Sequence, residues 1–163
     1  SLVNQLQART VKRQYQAVLN GVLTAGGTVD APLGRHPVQR KKMAVTPGRG
    51  KEARTHYRVL QRYSGHTLVR LDLETGRTHQ IRVHMAHIGH PLIGDQDYGK
   101  HFATKKNALD ENPRKAVGAF KRQALHAAVL GFEHPVSKDM LRFEAPMPDD
   151  MNALIAALGG EQG

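Results

Sequence analysis

Thr67-Leu68-Val69-Arg70-Leu71-Asp72-Leu73-Glu74-Thr75-Gly76-Arg77-Thr78-His79-Gln80-Ile81-Arg82-Val83-His84-Met85-Ala86-His87-Ile88-Gly89-His90-Pro91 changes its period in the middle. From Thr67 to Leu73 polar and apolar side chains alternate, as on a strand with one buried face. Beyond Glu74-Thr75-Gly76-Arg77 the apolar residues Ile81, Met85 and Ile88 recur at helical spacing, Thr78 stands where an N-cap belongs, and Gly89 then Pro91 stop the pattern. The stretch predicts a strand, a tight turn and a helix of about three turns.

Upstream, Arg54 to Leu60 also alternates, and Ser64-Gly65 separates it from the first strand, which predicts an antiparallel pair. Lys12 to Gly21 reads as another strand, with Arg13, Tyr15, Ala17 and Leu19 on one side. Thr28 to Leu33 is a short run whose Pro32 suits an edge or a strand end. Between it and the turn Pro47-Gly48-Arg49-Gly50 lies a basic loop, Gly34 to Met43. Leu2, Val3 and Leu6 share a helical face with no cap before them, so the sequence is expected to begin inside a helix, as a cut fragment would.

Downstream, Lys100 to Gly118 is polar and weakly patterned, a surface insertion. Ala124 to Phe132 and Met140 to Ala145 flank Pro135-Val136-Ser137-Lys138-Asp139 and predict a hairpin. Pro148-Asp149-Asp150 opens a final helix carrying Met151, Leu154, Ile155 and Leu158. No repeat is visible. The 163 residues predict one α+β domain with a mixed, mainly antiparallel sheet flanked by a few helices.

Charge narrows the partners. The net charge is +10, and residues 1 to 60 carry eleven Lys and Arg against only Asp30 and Glu52. So lopsided a field suits a polyanion, since nucleic acid binding gains from release of condensed counterions. Membrane attachment is not expected, because the chain has no apolar run near ~20 residues and no basic amphipathic helix or lipidation motif. The absence of cysteine removes disulfides, thiolate metal sites and cysteine nucleophiles. The first residues also lack the charged and apolar regions of a signal peptide, so a cytoplasmic protein is expected.

Chemistry concentrates between Gly76 and His90, where His79, His84, His87 and His90 stand close in sequence. No Asp or Glu interrupts the run and its spacing fits no HExxH-type motif, so no metal is expected. Paired histidines would also suit acid–base cleavage of RNA, which remains an alternative. Arg77 and Arg82, five apart, project in different directions, one toward phosphate and one toward whatever the helix start faces. Taken alone, Arg82 fits a surface salt bridge equally well.

Leu73 to Asp95, followed by Tyr98-Gly99, resembles the signature of RluA/RluD-type ribosomal large-subunit pseudouridine synthases. The resemblance extends to Arg13-Gln14-Tyr15-Gln16-Ala17-Val18, to Arg35-His36-Pro37 through Met43-Ala44-Val45, and to Arg122-Gln123-Ala124-Leu125-His126-Ala127 with Glu144-Ala145-Pro146. Thr24 to Asp30 and Arg35-His36-Pro37 resemble the RluD branch in particular. Only the insertion at Lys100 to Gly118 falls outside it.

The resemblance implies isomerisation of specific uridines to pseudouridine in 23S ribosomal RNA, with no cofactor and no obligate protein partner. It implies that Tyr15 stacks on the base and assists removal of its C5 proton, that Arg82 pairs with the catalytic aspartate, and that Leu125 lines the pocket. It puts Arg35, His36, Arg40, Lys41 and Lys42 on the RNA, with Arg77 and His79 nearer the pocket. The family's aspartate sits in an HRLDxxTSG-like motif ahead of the tyrosine strand, and no such motif occurs here. Asp95 reads as structural. The expectation is therefore a fragment without its nucleophile or an S4-like domain, inactive alone and prone to expose an unpaired sheet edge. A noncatalytic RNA-binding module is the alternative.

Overall fold

The computed structural model of the chain describes residues 12–99, 116–133 and 140–159. The expected helix at Leu2 to Leu6, the turn Pro135 to Asp139 and nearly all of the insertion lie outside them. Residues 116–118, assigned to that insertion, belong instead to a helical turn at 116–119.

Six strands form one sheet: β1 (Lys12–Asn20), β2 (Gly27–Asp30), β5 (Arg54–Arg62), β6 (His66–Leu73), β7 (Leu125–Glu133) and β8 (Met140–Glu144). Their order is β2-β5-β6-β1-β7-β8. Every pairing among them is antiparallel, so the mixed character expected of the sheet does not show among the described strands. The alternation in β1, β5 and β6 becomes two faces. Ala17, Leu19, Val69 and Leu71 are fully buried on one, against Ile81 and Met85 of helix α1 (Gln80–His87). Val18 is buried on the other, with Met151, Leu154 and Leu158 of helix α2 (Asp149–Leu158). Among the described residues, α1 closes an apolar layer on one face of the sheet, and α2, with the helical turn at 116–119, closes one on the other.

Pro32 does end a strand. The run read as Thr28 to Leu33 stops at Asp30, and Leu33 begins a new strand, β3 (Leu33–Arg35), which pairs with β4 (Met43–Val45). The basic loop is thus the tip of a two-stranded hairpin. It packs through Leu33, Met43 and Val45 against Val83 of α1, with Tyr98 alongside.

Helix α1 is shorter than the periodicity predicts. It has eight residues, about two turns, and its N-cap is His79, in the left-handed region at φ 55°, rather than Thr78. The cause is Gln80. Its Oε1 accepts hydrogen bonds from the Thr75 hydroxyl (2.7 Å) and the Arg77 amide (3.1 Å), while its Nε2 donates to the Arg54 carbonyl (3.0 Å) and Thr55 Oγ1 (2.9 Å). The side chain holds residues 75–78 as a turn against β5, so the helix starts only after it. The expected stop is in place, with Gly89 at φ 87°. Among the described residues no helix is long and apolar enough to cross a membrane.

Candidate functional site

The turn and the first residues of α1 stand over one end of β1, and between them opens a cavity of about 360 Å³. Arg13 and Tyr15 of β1, Leu73, Arg77, His79, Gln80, Ile81 and Arg82 line it, with Gln123 and Leu125 from the start of β7. Tyr15, Arg82 and Leu125, which the resemblance groups as one pocket, are together here, as are Arg77 and His79. Arg13 was missed, although its alternation with Tyr15 put both on one side of the strand. Beside Tyr15 the β1–β7 register shifts: Gln14 pairs with Val129 and Tyr15 with Ala127, leaving Ala128 as an extra residue on β7. Such bulges sharpen local twist and re-aim side chains, often next to functional sites.

Arg82 is held rigidly. Its Nε and Nη2 donate to the two carboxylate oxygens of Asp95 (2.9 and 2.7 Å), and Nη2 also reaches Asp97 (2.9 Å). Asp95 has no exposed side-chain surface and Arg82 only 11%, so this is a buried fork-to-fork pair rather than a surface bridge. Burial pushes the Asp95 carboxyl up, but the bonds from Arg82 and from the amides of Tyr98 and Asp97 outweigh it and hold the group below its ordinary range. Arg82 is correspondingly fixed in its charged form. Both oxygens of Asp95 are thus committed to Arg82. Nη1 of Arg82 has no partner among the described residues.

Tyr98 is the residue to which the sequence alone assigns no role. Its ring lies 5.0 Å from the Arg82 guanidinium and edge-on to His79, and its hydroxyl accepts from the Met43 amide (3.0 Å). The phenolic proton is then free to go to Nδ1 of His79, 2.9 Å away. Burial first and Arg82 second push His79 below the ordinary histidine pKa, which favours the neutral ring this bond requires. Tyr98 thereby joins the basic hairpin to the cavity.

The other predicted residues lie outside this cavity. Arg35, Arg40 and Lys41 are exposed on the hairpin, and Arg35 donates to the Arg40 carbonyl (3.0 Å). His36 accepts from the amides of Val38 and Gln39, shaping the loop tip. Lys42 turns inward to the Asp97 carbonyl (2.9 Å). The remaining histidines of the cluster diverge: His84 is buried between Thr55 Oγ1 and the Ala31 carbonyl, His90 donates to the Asn20 carbonyl, and His87 is exposed. Among the described residues no group of His, Asp and Glu is arranged to hold a metal.

Residues 1–87 match the family described as RNA pseudouridylate synthase. The chain belongs to that family. Its sequence relatives are of the RluD type. They include the ribosomal large subunit pseudouridine synthase D of Haemophilus influenzae, 53% identical across 96% of this chain and 48% of that protein, and the enzyme of the same name from Pseudomonas aeruginosa, 52% identical with the same coverage. The chain spans about half the length of these curated relatives. Among solved structures, human RNA Pseudouridylate Synthase Domain Containing 1 superposes with a TM-score of 0.74 at 26% identity, covering 96% of this chain and 62% of that one.

Proposed function

We propose that these residues form the uridine-holding part of an enzyme that converts uridine to pseudouridine in ribosomal large-subunit RNA, breaking the N-glycosidic bond and rejoining the base through C5. The supporting observation is the meeting of Tyr15, Leu125 and Arg82 in one cavity, brought from three separate elements of a chain in this family. Tyr15 offers a ring face to a base flipped out of its stack, and Leu125 and Leu73 offer apolar walls. Arg82, its Nε and Nη2 committed to Asp95 and Asp97, turns its remaining Nη1 edge to a catalytic aspartate. The hairpin cations Arg35, Arg40 and Lys41, with His36 and Lys42, face the RNA around the target, and a cytoplasmic location goes with that substrate.

No carboxylate lines the cavity among the described residues. Asp95 is sealed, Asp30 is paired with Arg54 and Asp72 with Arg70. On this reading the 163-residue chain binds RNA without isomerising it. The test incubates this chain, and separately the full natural product, with unmodified 23S rRNA, then maps pseudouridine by carbodiimide-dependent reverse-transcription stops. Activity in the longer product alone is expected. Activity in the 163-residue chain overturns the missing-nucleophile part, with Asp97 the first residue to substitute; activity in neither leaves a noncatalytic RNA-binding module.

A further inference from the structure

A second concavity, of about 480 Å³, lies on the other side of the Gly76-Arg77-Thr78 turn. Its walls carry Arg35 and Arg49, Lys51 and Arg77, with Leu33 and Met43 as an apolar floor. Four cations converge there, and none lies within salt-bridge distance of a carboxylate among the described residues. That sets them apart from Arg54, Arg70, Arg82 and Arg122, each paired with an acid.

The three arginines are oriented instead by backbone carbonyls. Arg35 donates to the carbonyl of Arg40, Arg49 to that of Arg35 (3.2 Å), and Arg77 to that of Glu52 (2.7 Å). A carbonyl fixes the direction of a guanidinium without neutralising it, so the charges are aimed and remain available. Like charges gathered in one concavity repel, and a phosphate, which accepts from several donors at once, relieves the repulsion. The floor offers apolar surface for a sugar or base, and the volume is within the range of small-ligand sites.

The two cavities share a wall. Gly76 and Arg77 border both, and at Gly76 an added Cβ would come within 3.2 Å of the Arg13 guanidinium. The turn is therefore a low saddle over which one strand can pass.

We propose that this second concavity is a phosphate clamp for the RNA strand immediately adjoining the target nucleotide, with Arg49 and Lys51 as binding residues beside Arg35 and Arg77. This rests on the reading of the first cavity as the uridine pocket. The clamp explains why the turn carries an arginine reachable from both sides, and it assigns a task to Arg49 and Lys51, which the sequence motifs leave without one.

The test uses the full chain and a fluorescent single-stranded pentaribonucleotide with a central uridine, titrated by anisotropy between 50 and 200 mM salt. The double variant Arg49→Gln, Lys51→Gln is expected to weaken binding and to flatten the plot of log affinity against log salt by roughly 1.4, about 0.7 for each single-strand phosphate no longer neutralised. Arg62→Gln is the control, an exposed arginine also held by carbonyls but at the far end of β5. It leaves the slope unchanged. A neutral methylphosphonate linkage placed on either side of the uridine should weaken the unsubstituted chain on one side and leave the double variant indifferent there. Equal slopes, or equal sensitivity of both proteins to the neutral linkage, overturn the clamp. An abasic central residue tests the first cavity separately: if the base makes no difference to affinity, the uridine reading fails whatever the clamp does.

Discussion

At the scale of single residues, Asp95 stiffens the cavity wall by holding Arg82 through two hydrogen bonds. Removing the negative partner leaves a guanidinium that is 89% covered with only exposed Asp97 to face. Asp95→Asn should therefore cost about 3 kcal/mol, at the lower end for breaking a buried pair, read as a drop in the urea midpoint at unchanged slope. Because Asp95 ionises below its ordinary range in the folded chain, its contribution is present above the unfolded carboxylate pKa and fades as pH falls through the folded one. The variant should lose less stability than the parent on acidification below about pH 4. Tyr98→Phe tests the neighbouring contact. It deprives Nδ1 of His79 of its donor and the Met43 amide of its acceptor, a cost of about 1–3 kcal/mol. Nitrogen NMR should find His79 protonated at Nε2 in the parent and a mixture of tautomers in the variant; one unchanged tautomer would refute the role given to the hydroxyl.

Among the elements, α1 depends on contacts no neighbour in sequence supplies. His84, fully buried, accepts from Thr55 Oγ1 of β5 and donates to the Ala31 carbonyl, and burial pushes it below the ordinary histidine pKa. The unfolded chain takes up this proton first, so stability is level above about pH 6.5 and falls as pH drops from there through the folded value. His84→Gln should lower stability at pH 7.5 yet shrink the further loss between pH 7.5 and 5; an undiminished loss assigns it to other groups. The periods of β5 and α2 were legible because each has one apolar side, and those of β1 and β6 because polar residues hold alternate places along part of each strand, although at Val18 both faces are buried. The start of α1 was not, since Gln80 reaches Arg54 and Thr55 of another strand. The hairpin β3–β4 was hidden because three residues hold too little alternation to see. In the site, the shared side of Arg13 and Tyr15 was readable from alternation, whereas the grouping of Tyr15, Arg82 and Leu125 came from resemblance. The locking of Arg82 by Asp95 and Asp97 is a tertiary fact.

At the scale of the whole molecule the charge asymmetry becomes geography. The acid-poor first third supplies the hairpin and three of the four cations of the concavity beneath it, Arg77 being the fourth, while the later chain pairs many of its cations. Neutralising Lys41 and Lys42 should weaken RNA binding and lower its salt dependence, and an unchanged slope removes the hairpin tip from the footprint. Both should contribute, because the Asp97 carbonyl directs Lys42 without neutralising it. Among the described residues the sheet ends at β2 and β8, and the large apolar side chains exposed there, Val22, Val38 and Leu60, are scattered. Self-association, if sedimentation finds it, should therefore proceed through a strand edge and disappear when a proline is placed in β2.

The central place of β1 has a consequence for synthesis. One of its neighbours, β6, lies some fifty residues later in the chain, and the other, β7, more than a hundred. At about 5–20 residues per second a ribosome needs on the order of 5–20 s to make the interval before β7. Throughout it Ala17, Val18 and Leu19, destined for the driest part of the molecule, emerge without their final cover. A central strand of the sheet thus waits for seconds at the surface of a ribosome before the second of its two neighbours exists.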